Sequence, residues 1–126
     1  NMTPEWFESR AWIWLHYAVV KLGRGELFEA MGMLAFFREQ VLGPMLYRRA
    51  NLPQRGVRRI EFHGIDPDGL LTSTLATHDR GSVSVAIRMA VDAYINLRAD
   101  ALPKNIADDA ARWAVLAMLK EYSGRG

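Results

Sequence analysis

The sequence predicts an all-α fold, an antiparallel four-helix bundle with one additional short helix. Three observations lead there. Apolar residues recur at helical spacing through four long stretches. Proline, glycine and capping residues punctuate their ends. The links between them are mostly short, so the apolar stripes can bury only against one another. At 126 residues the chain suits one domain, residues 1–126. Half of its residues are hydrophobic, including 4 Trp, 4 Tyr and 5 Phe, enough to fill a core.

The first helix opens with Thr3 as cap and Pro4 in the first helical position, where a missing N–H costs nothing. It runs to about Leu22. Residues 11 to 20 are apolar nearly all round, which calls for burial on more than one side. Gly23 and Gly25 suit the turn that follows. A second helix spans about Glu26 to Ala50, with Leu27, Ala30, Leu34, Phe37, Val41 and Met45 as its inner stripe. Pro44 sits inside this run, after Gly43, and predicts a kink or a break.

Asn51 to Gly56 reads as a loop, and Val57 to His63 as either a short helix or an extended piece. Asp66-Pro67 resembles a cap and a first-turn proline, opening a short helix to about His78. Gly81 and Ser82 introduce a longer helix that buries Val83, Ala86 or Ile87, Ala90, Tyr94 and Leu97, and wets Arg88, Asp92 and Asn96. The last helix starts near Asn105, with Asp108 placed for a capping box. Ile106, Ala110, Trp113 and Ala117 are its expected inner face, and Ser123-Gly124 its end.

Composition removes several chemistries. Without Cys there are no disulfides, thiolate nucleophiles or thiolate metal sites. A net charge of +2 writes no bulk attraction to nucleic acid or membrane into the chain. Glu5 and Glu8 interrupt what would be a signal peptide, and the apolar run Ala11 to Val20 is too short to span a bilayer, so a cytoplasmic location without membrane contact is expected. Gly23 and Gly25 lie between helices and lack the strand that a nucleotide-binding glycine loop requires. Asn1 ahead of Met2 leaves two origins open, a small protein starting at Met2 or a piece of a longer one.

His16 follows Trp14 on the apolar first helix. It reads as a hydrogen-bonded histidine in a core or at a subunit contact, or as a substrate contact. His63 and His78 have no metal-ligand spacing, so no metal is expected. Asp66 and Asp68 are close enough for magnesium, but capping explains them more simply. Lys21 to Glu26 packs two cations and a carboxylate around a glycine turn. That is either helix-end electrostatics or the polar rim of a substrate cleft, where Glu26 or Glu29 receives an amine or hydroxyl. Arg48, Arg49, Arg55, Arg58 and Arg59 fall within a dozen residues, accompanied only by Glu61. They form a solvated face, an interdomain salt-bridge seam or a phosphate-binding set, for which Arg55, Arg58 and Arg59 are the candidates. Nucleic acid fits less well, because few aromatics interleave with them.

Three segments carry a resemblance: Trp12 to Tyr17, Lys21 to Ala30, and Arg38 to Pro44, continued by Gly56 to Glu61. Together they resemble the helical C-terminal, substrate-binding region of nucleotidyltransferase-like proteins. In that superfamily an N-terminal α/β domain holds nucleoside triphosphate and Mg2+, and the helical part helps bind a small polar acceptor, an aminoglycoside in drug-modifying relatives. The catalytic signature, a Gly-Ser pair followed by Asp-x-Asp, is missing here; Gly81-Ser82 follows Asp66 and Asp68 in the wrong order. The resemblance thus implies a substrate-binding or docking half with no catalytic residue or cofactor of its own, working with a catalytic domain or chain. His16, Tyr17, Lys21, Arg24 and Glu26 are its implied cleft face. A homodimer would cover the all-round apolar helix.

Two alternatives remain. Related small helical proteins pair with minimal nucleotidyltransferases, some being ribonucleases of toxin–antitoxin type with an Arg and a nearby His. Arg10 to His16 and Arg58 to His63 approach that spacing, though outside the final helix. A purely structural dimerisation module is the other.

Overall fold

The computed structural model describes residues 1–106 and 108–123. Its elements are α1 (Pro4–Gly23), α2 (Leu27–Phe37), a π-helical turn (Arg38–Leu42), α3 (Gly43–Arg49), α4 (Arg80–Arg98) and α5 (Asp108–Ser123). Single 3-10 turns at Ile60–Phe62 and Thr72–Thr74 lie in the crossover between α3 and α4. With α2, the π-turn and α3 forming one long composite rod, four helices pack together, and no strand occurs among the described residues.

The first helix is the hub. Thr3 accepts the Trp6 N–H at 3.1 Å and Pro4 opens the first turn, as the cap pattern predicts. Phe7, Ala11, Leu15, Ala18, Val19 and Leu22 are buried, and α1 packs against α2, α4 and α5. Not all of its circumference is covered: Ile13 stays 66% exposed. Gly25 adopts φ +75 in the three-residue link, a backbone region that favours glycine, so α2 folds straight back along α1. At the α1 C-terminus the Tyr122 ring lies so close to Gly23 that a Cβ there would sit 2.7 Å from it.

Pro44 does not break the second rod. The Gly43 N–H reaches the Arg38 carbonyl, five residues back, so one extra residue widens the helix where the proline ring would otherwise crowd the Gln40 carbonyl. Ala30, Leu34, Phe37, Val41 and Met45 remain buried across this turn, with Leu27 half-buried. Gly43 has a second use. A Cβ there would stand 3.1 Å from the Gly56 carbonyl carbon, so its absence lets the loop backbone lie against the rod. Glu39 fastens that loop by accepting the Val57 N–H at 3.0 Å.

The crossover contains no helix from 66 to 78, contrary to the sequence expectation. Gly69 turns to φ +68, and the Asp66 carboxylate accepts from both Leu70 N and Leu71 N. Thr72, Ser73 and Thr74 then donate their hydroxyls to the carbonyls of Gly69, Leu70 and Leu71. Side chains of this kind compete with the helical ladder, and here one 3-10 turn is all that survives. Asp66 thus braces a turn through the Leu70 and Leu71 N–H groups and does not cap a helix, since none opens at Pro67.

Asp79 starts α4 by accepting the Ser82 N–H. Val83, Ala86, Ile87, Ala90, Tyr94 and Leu97 face inward, while Arg88, Asp92 and Asn96 face water, matching the expected faces. Glu8 of α1 meets Tyr94 and Arg98, and Gly25 lies near Arg80, so α4 runs antiparallel to α1. Phe28 lies against His78 just before α4, and Arg49 bonds Asp100 just after it, so the composite rod and α4 run in the same direction. The crossover makes that arrangement possible.

The inner face of α5 is not the expected one. Ile106, Ala110, Trp113 and Ala117 are exposed, Trp113 by 63%, whereas Val115 and Leu119 are buried. Both faces of this helix are apolar, so periodicity alone cannot choose between them. Arg112 supports the outward Trp113, its guanidinium 5.5 Å from the ring centroid. Asn105 lies outside the helix, and the capping role given to Asp108 concerns a side chain outside the described residues.

Candidate functional site

Folding α2 back along α1 gathers five of the six residues expected at a substrate rim. The Tyr17 hydroxyl donates to Glu29 at 2.8 Å. Lys21 and Arg24 reach opposite oxygens of Glu26, at 3.7 and 3.8 Å. The Lys21 ammonium also lies 5.3 Å from the centre of the Tyr17 ring. Hydrogen bonding to the Glu29 carboxylate, which favours the protonated phenol, raises the Tyr17 pKa above its ordinary value. Glu26 precedes the first residue of α2, where its charge also suits the helix dipole. The sixth residue, His16, is exposed on the neighbouring turn of α1 and not buried in a core.

An uncovered apolar strip adjoins this rim. Tyr17, Phe28, Glu29, Gly32, Met33 and Phe36 line an open depression of about 370 Å³, whose floor is clear because Gly32 has nothing near its missing Cβ. Phe28 is 81% exposed and Phe36 41%. Trp14 stacks edge-on to Phe36 and to Trp6, so it belongs to the packing between helices.

The arginine cluster of the sequence divides in the fold. Arg48 and Arg49 turn to the end of α4: Arg48 donates to the Leu97 carbonyl, and Arg49 to the Asn96 carbonyl and bidentately to Asp100. Burial lowers the Arg48 pKa, and its Nε and Nη1 are buried without a protein acceptor. Arg55, Arg58 and Arg59 are exposed on the crossover, with Arg59 at φ +60 and its guanidinium 5.0 Å from the Phe62 ring centre. The histidines spread as well. His63 lies edge-on to Tyr47, and His78 lies 4.4 Å from Phe28. Arg10 bonds the Trp6 carbonyl and covers the Trp6 ring, and its six-residue separation from His16 places the two about 120° apart around α1.

One polar constellation had no signal in the sequence. Glu8 is buried and accepts from the Tyr94 hydroxyl, from Trp12 Nε1 at 3.1 Å and from Arg98 at 3.2 Å. Burial, and then the bond to Glu8, drives the Tyr94 phenol far above its ordinary pKa. Only the Glu8–Trp12 spacing of four was visible in advance, and it looks like many surface pairs. Glu8 serves as the common acceptor of the other three side chains, which marks a structural tie.

Among the described residues no group of three or more His, Asp or Glu side chains gathers as metal ligands would, and no helix is long and apolar enough to cross a membrane. Comparison with protein-family models, with curated proteins and with solved structures finds no match to this chain.

Proposed function

We propose that this chain is a non-catalytic helical domain working beside a nucleotidyltransferase-type catalytic unit, with the α1–α2 hairpin facing a small polar acceptor. The observation that carries the reading is the joining of Tyr17, Lys21, Arg24, Glu26 and Glu29 into one polar rim beside the exposed Phe28. Such a rim offers two carboxylates to amines or hydroxyls, and the apolar strip next to it suits a protein surface. Mg2+ and nucleoside triphosphate belong, in this reading, to the partner, and the setting is cytoplasmic. Arg55, Arg58 and Arg59, exposed on the crossover, are its phosphate-facing side.

The test is an NMR titration of the chain with a panel of aminoglycosides. Amide shifts confined to residues 16–29 and lost in the Glu26→Gln/Glu29→Gln double variant support the reading. Shifts centred elsewhere, no response to any acceptor, or nucleotide transfer by this chain alone with Mg2+ overturn it.

The exposure of Ile13, Phe28 and Phe36 supports a second reading, in which another copy of the chain covers the strip as a homodimer. Phe28→Glu then halves the mass measured by light scattering. A wild-type mass already equal to one chain disposes of it.

A further inference from the structure

The crossover encloses a cavity of about 420 Å³ against the π-turn of the second rod. Val57, Ile60, Ile65, Leu71 and Leu75 give it a largely apolar lining, and Arg38 from the π-turn contributes a cation. This volume falls within the range that takes small organic ligands.

Arg38 is placed as a cation awaiting a counter-ion. Its Nη1 donates to the Thr74 carbonyl at 3.0 Å and to the Thr74 hydroxyl at 3.1 Å, which fixes the side chain. No carboxylate among the described residues lies within ion-pairing distance, in contrast with Lys21, Arg24, Arg49 and Arg98. Burial lowers its pKa, and no opposing charge restores it. Nε and Nη2 have no protein acceptor, yet neither is sealed in the interior. A half-buried guanidinium with a free donor edge pairs bidentately with a carboxylate or a phosphate, and the largely apolar lining favours the singly charged carboxylate.

The two acidic residues lining the cavity do not serve. Asp66 is turned to the Leu70 and Leu71 N–H groups and forms no ion pair with Arg38. Glu61 is exposed at the mouth, where solvent screens its charge.

We infer that this cavity is a binding site for a small monocarboxylate with an apolar tail, its carboxylate on Arg38 and its tail among Val57, Ile60, Ile65 and Leu71. The site is separate from the α1–α2 rim and does not depend on the function proposed for it.

Octanoate is the probe, with 1-octanol and octylammonium as neutral and cationic counterparts, each titrated by calorimetry and by NMR. Octanoate binds one-to-one, about tenfold or more tighter than 1-octanol, and shifts amides in residues 57–75. Arg38→Gln weakens octanoate about tenfold and leaves 1-octanol unchanged. Leu75→Trp, which keeps Arg38 and fills the mouth, weakens both; this variant decides the matter if Arg38→Gln fails to fold. Equal binding of octanoate and octanol, preference for octylammonium, or octanoate affinity unchanged by Leu75→Trp overturns the assignment.

Discussion

Glu8 on the first helix and Tyr94 on the fourth, 86 residues apart in sequence, share a buried hydrogen bond that joins the two antiparallel rods. Arg98 balances the carboxylate charge and Trp12 occupies its second oxygen, so neither Glu8 nor Arg98 is left alone in a dry interior. Glu8→Ala removes the shared acceptor of Tyr94, Trp12 and Arg98 and should cost about 3–5 kcal/mol, whereas Tyr94→Phe removes one donor and should cost about 1–3 kcal/mol. Urea unfolding of the two variants and their double mutant checks this. The double variant should lose less than the sum, because both act on one network.

The two glycines of the second rod should respond to alanine in opposite directions. Gly32 has open space where a Cβ would go, so Gly32→Ala should gain about 0.5–1 kcal/mol from helix propensity. At Gly43 the same methyl meets the Arg38 and Gly56 backbones at 3.0 and 3.1 Å, neither of which can swing aside as a side chain would. Gly43→Ala should lose about 1–3 kcal/mol by overpacking. Thermal unfolding of the pair measures both signs at once.

On α5 the outward and inward faces give a second contrast. Leu119→Ala should cost about 2–5 kcal/mol, since that side chain is wholly buried. Trp113→Lys should change stability by no more than about 0.5 kcal/mol. A large loss at Trp113 with none at Leu119 would restore the inner face expected from the sequence.

Asp100 makes the acid limb of stability readable. Its hydrogen bonds from Arg49 hold the carboxyl below its ordinary value of 3.8, and Arg48 adds to the effect. A depressed folded pKa contributes stability that is fully present above the unfolded value and is lost as pH falls through the folded one. Wild type should therefore exceed Asp100→Asn at neutral pH and converge with it in acid. The pair is about one-third exposed, so solvent screening limits the difference to about 1 kcal/mol or less. Urea midpoints between pH 2 and pH 7 provide the check.

Helix identity was legible wherever one face was apolar and the other charged, as on α4. The Thr3 cap was legible too, because its hydroxyl meets the Trp6 N–H three residues on. What escaped depends on contacts distant in sequence or on a choice between equal faces. Asp66-Pro67 opens a turn and not a helix because three successive hydroxyl residues follow Gly69. At the π-turn the sequence shows the proline but not the way its crowding is relieved, so it indicates only a kink or break there. The rim residues on the α1–α2 hairpin were found because a three-residue link brings near neighbours together. Arg38, lying against a crossover more than thirty residues away, carried no local sign of its surroundings.

The central position of α1 has a consequence for synthesis. α1 is synthesised before α4 and α5, which cover two of its sides and begin about sixty residues or more after it ends, a delay of several seconds at the usual pace of elongation. Among the helices that pack on α1, only the composite rod of α2, the π-turn and α3 is available in that interval. Trp12, which packs against Tyr94 of α4, therefore lacks that cover until α4 has been made.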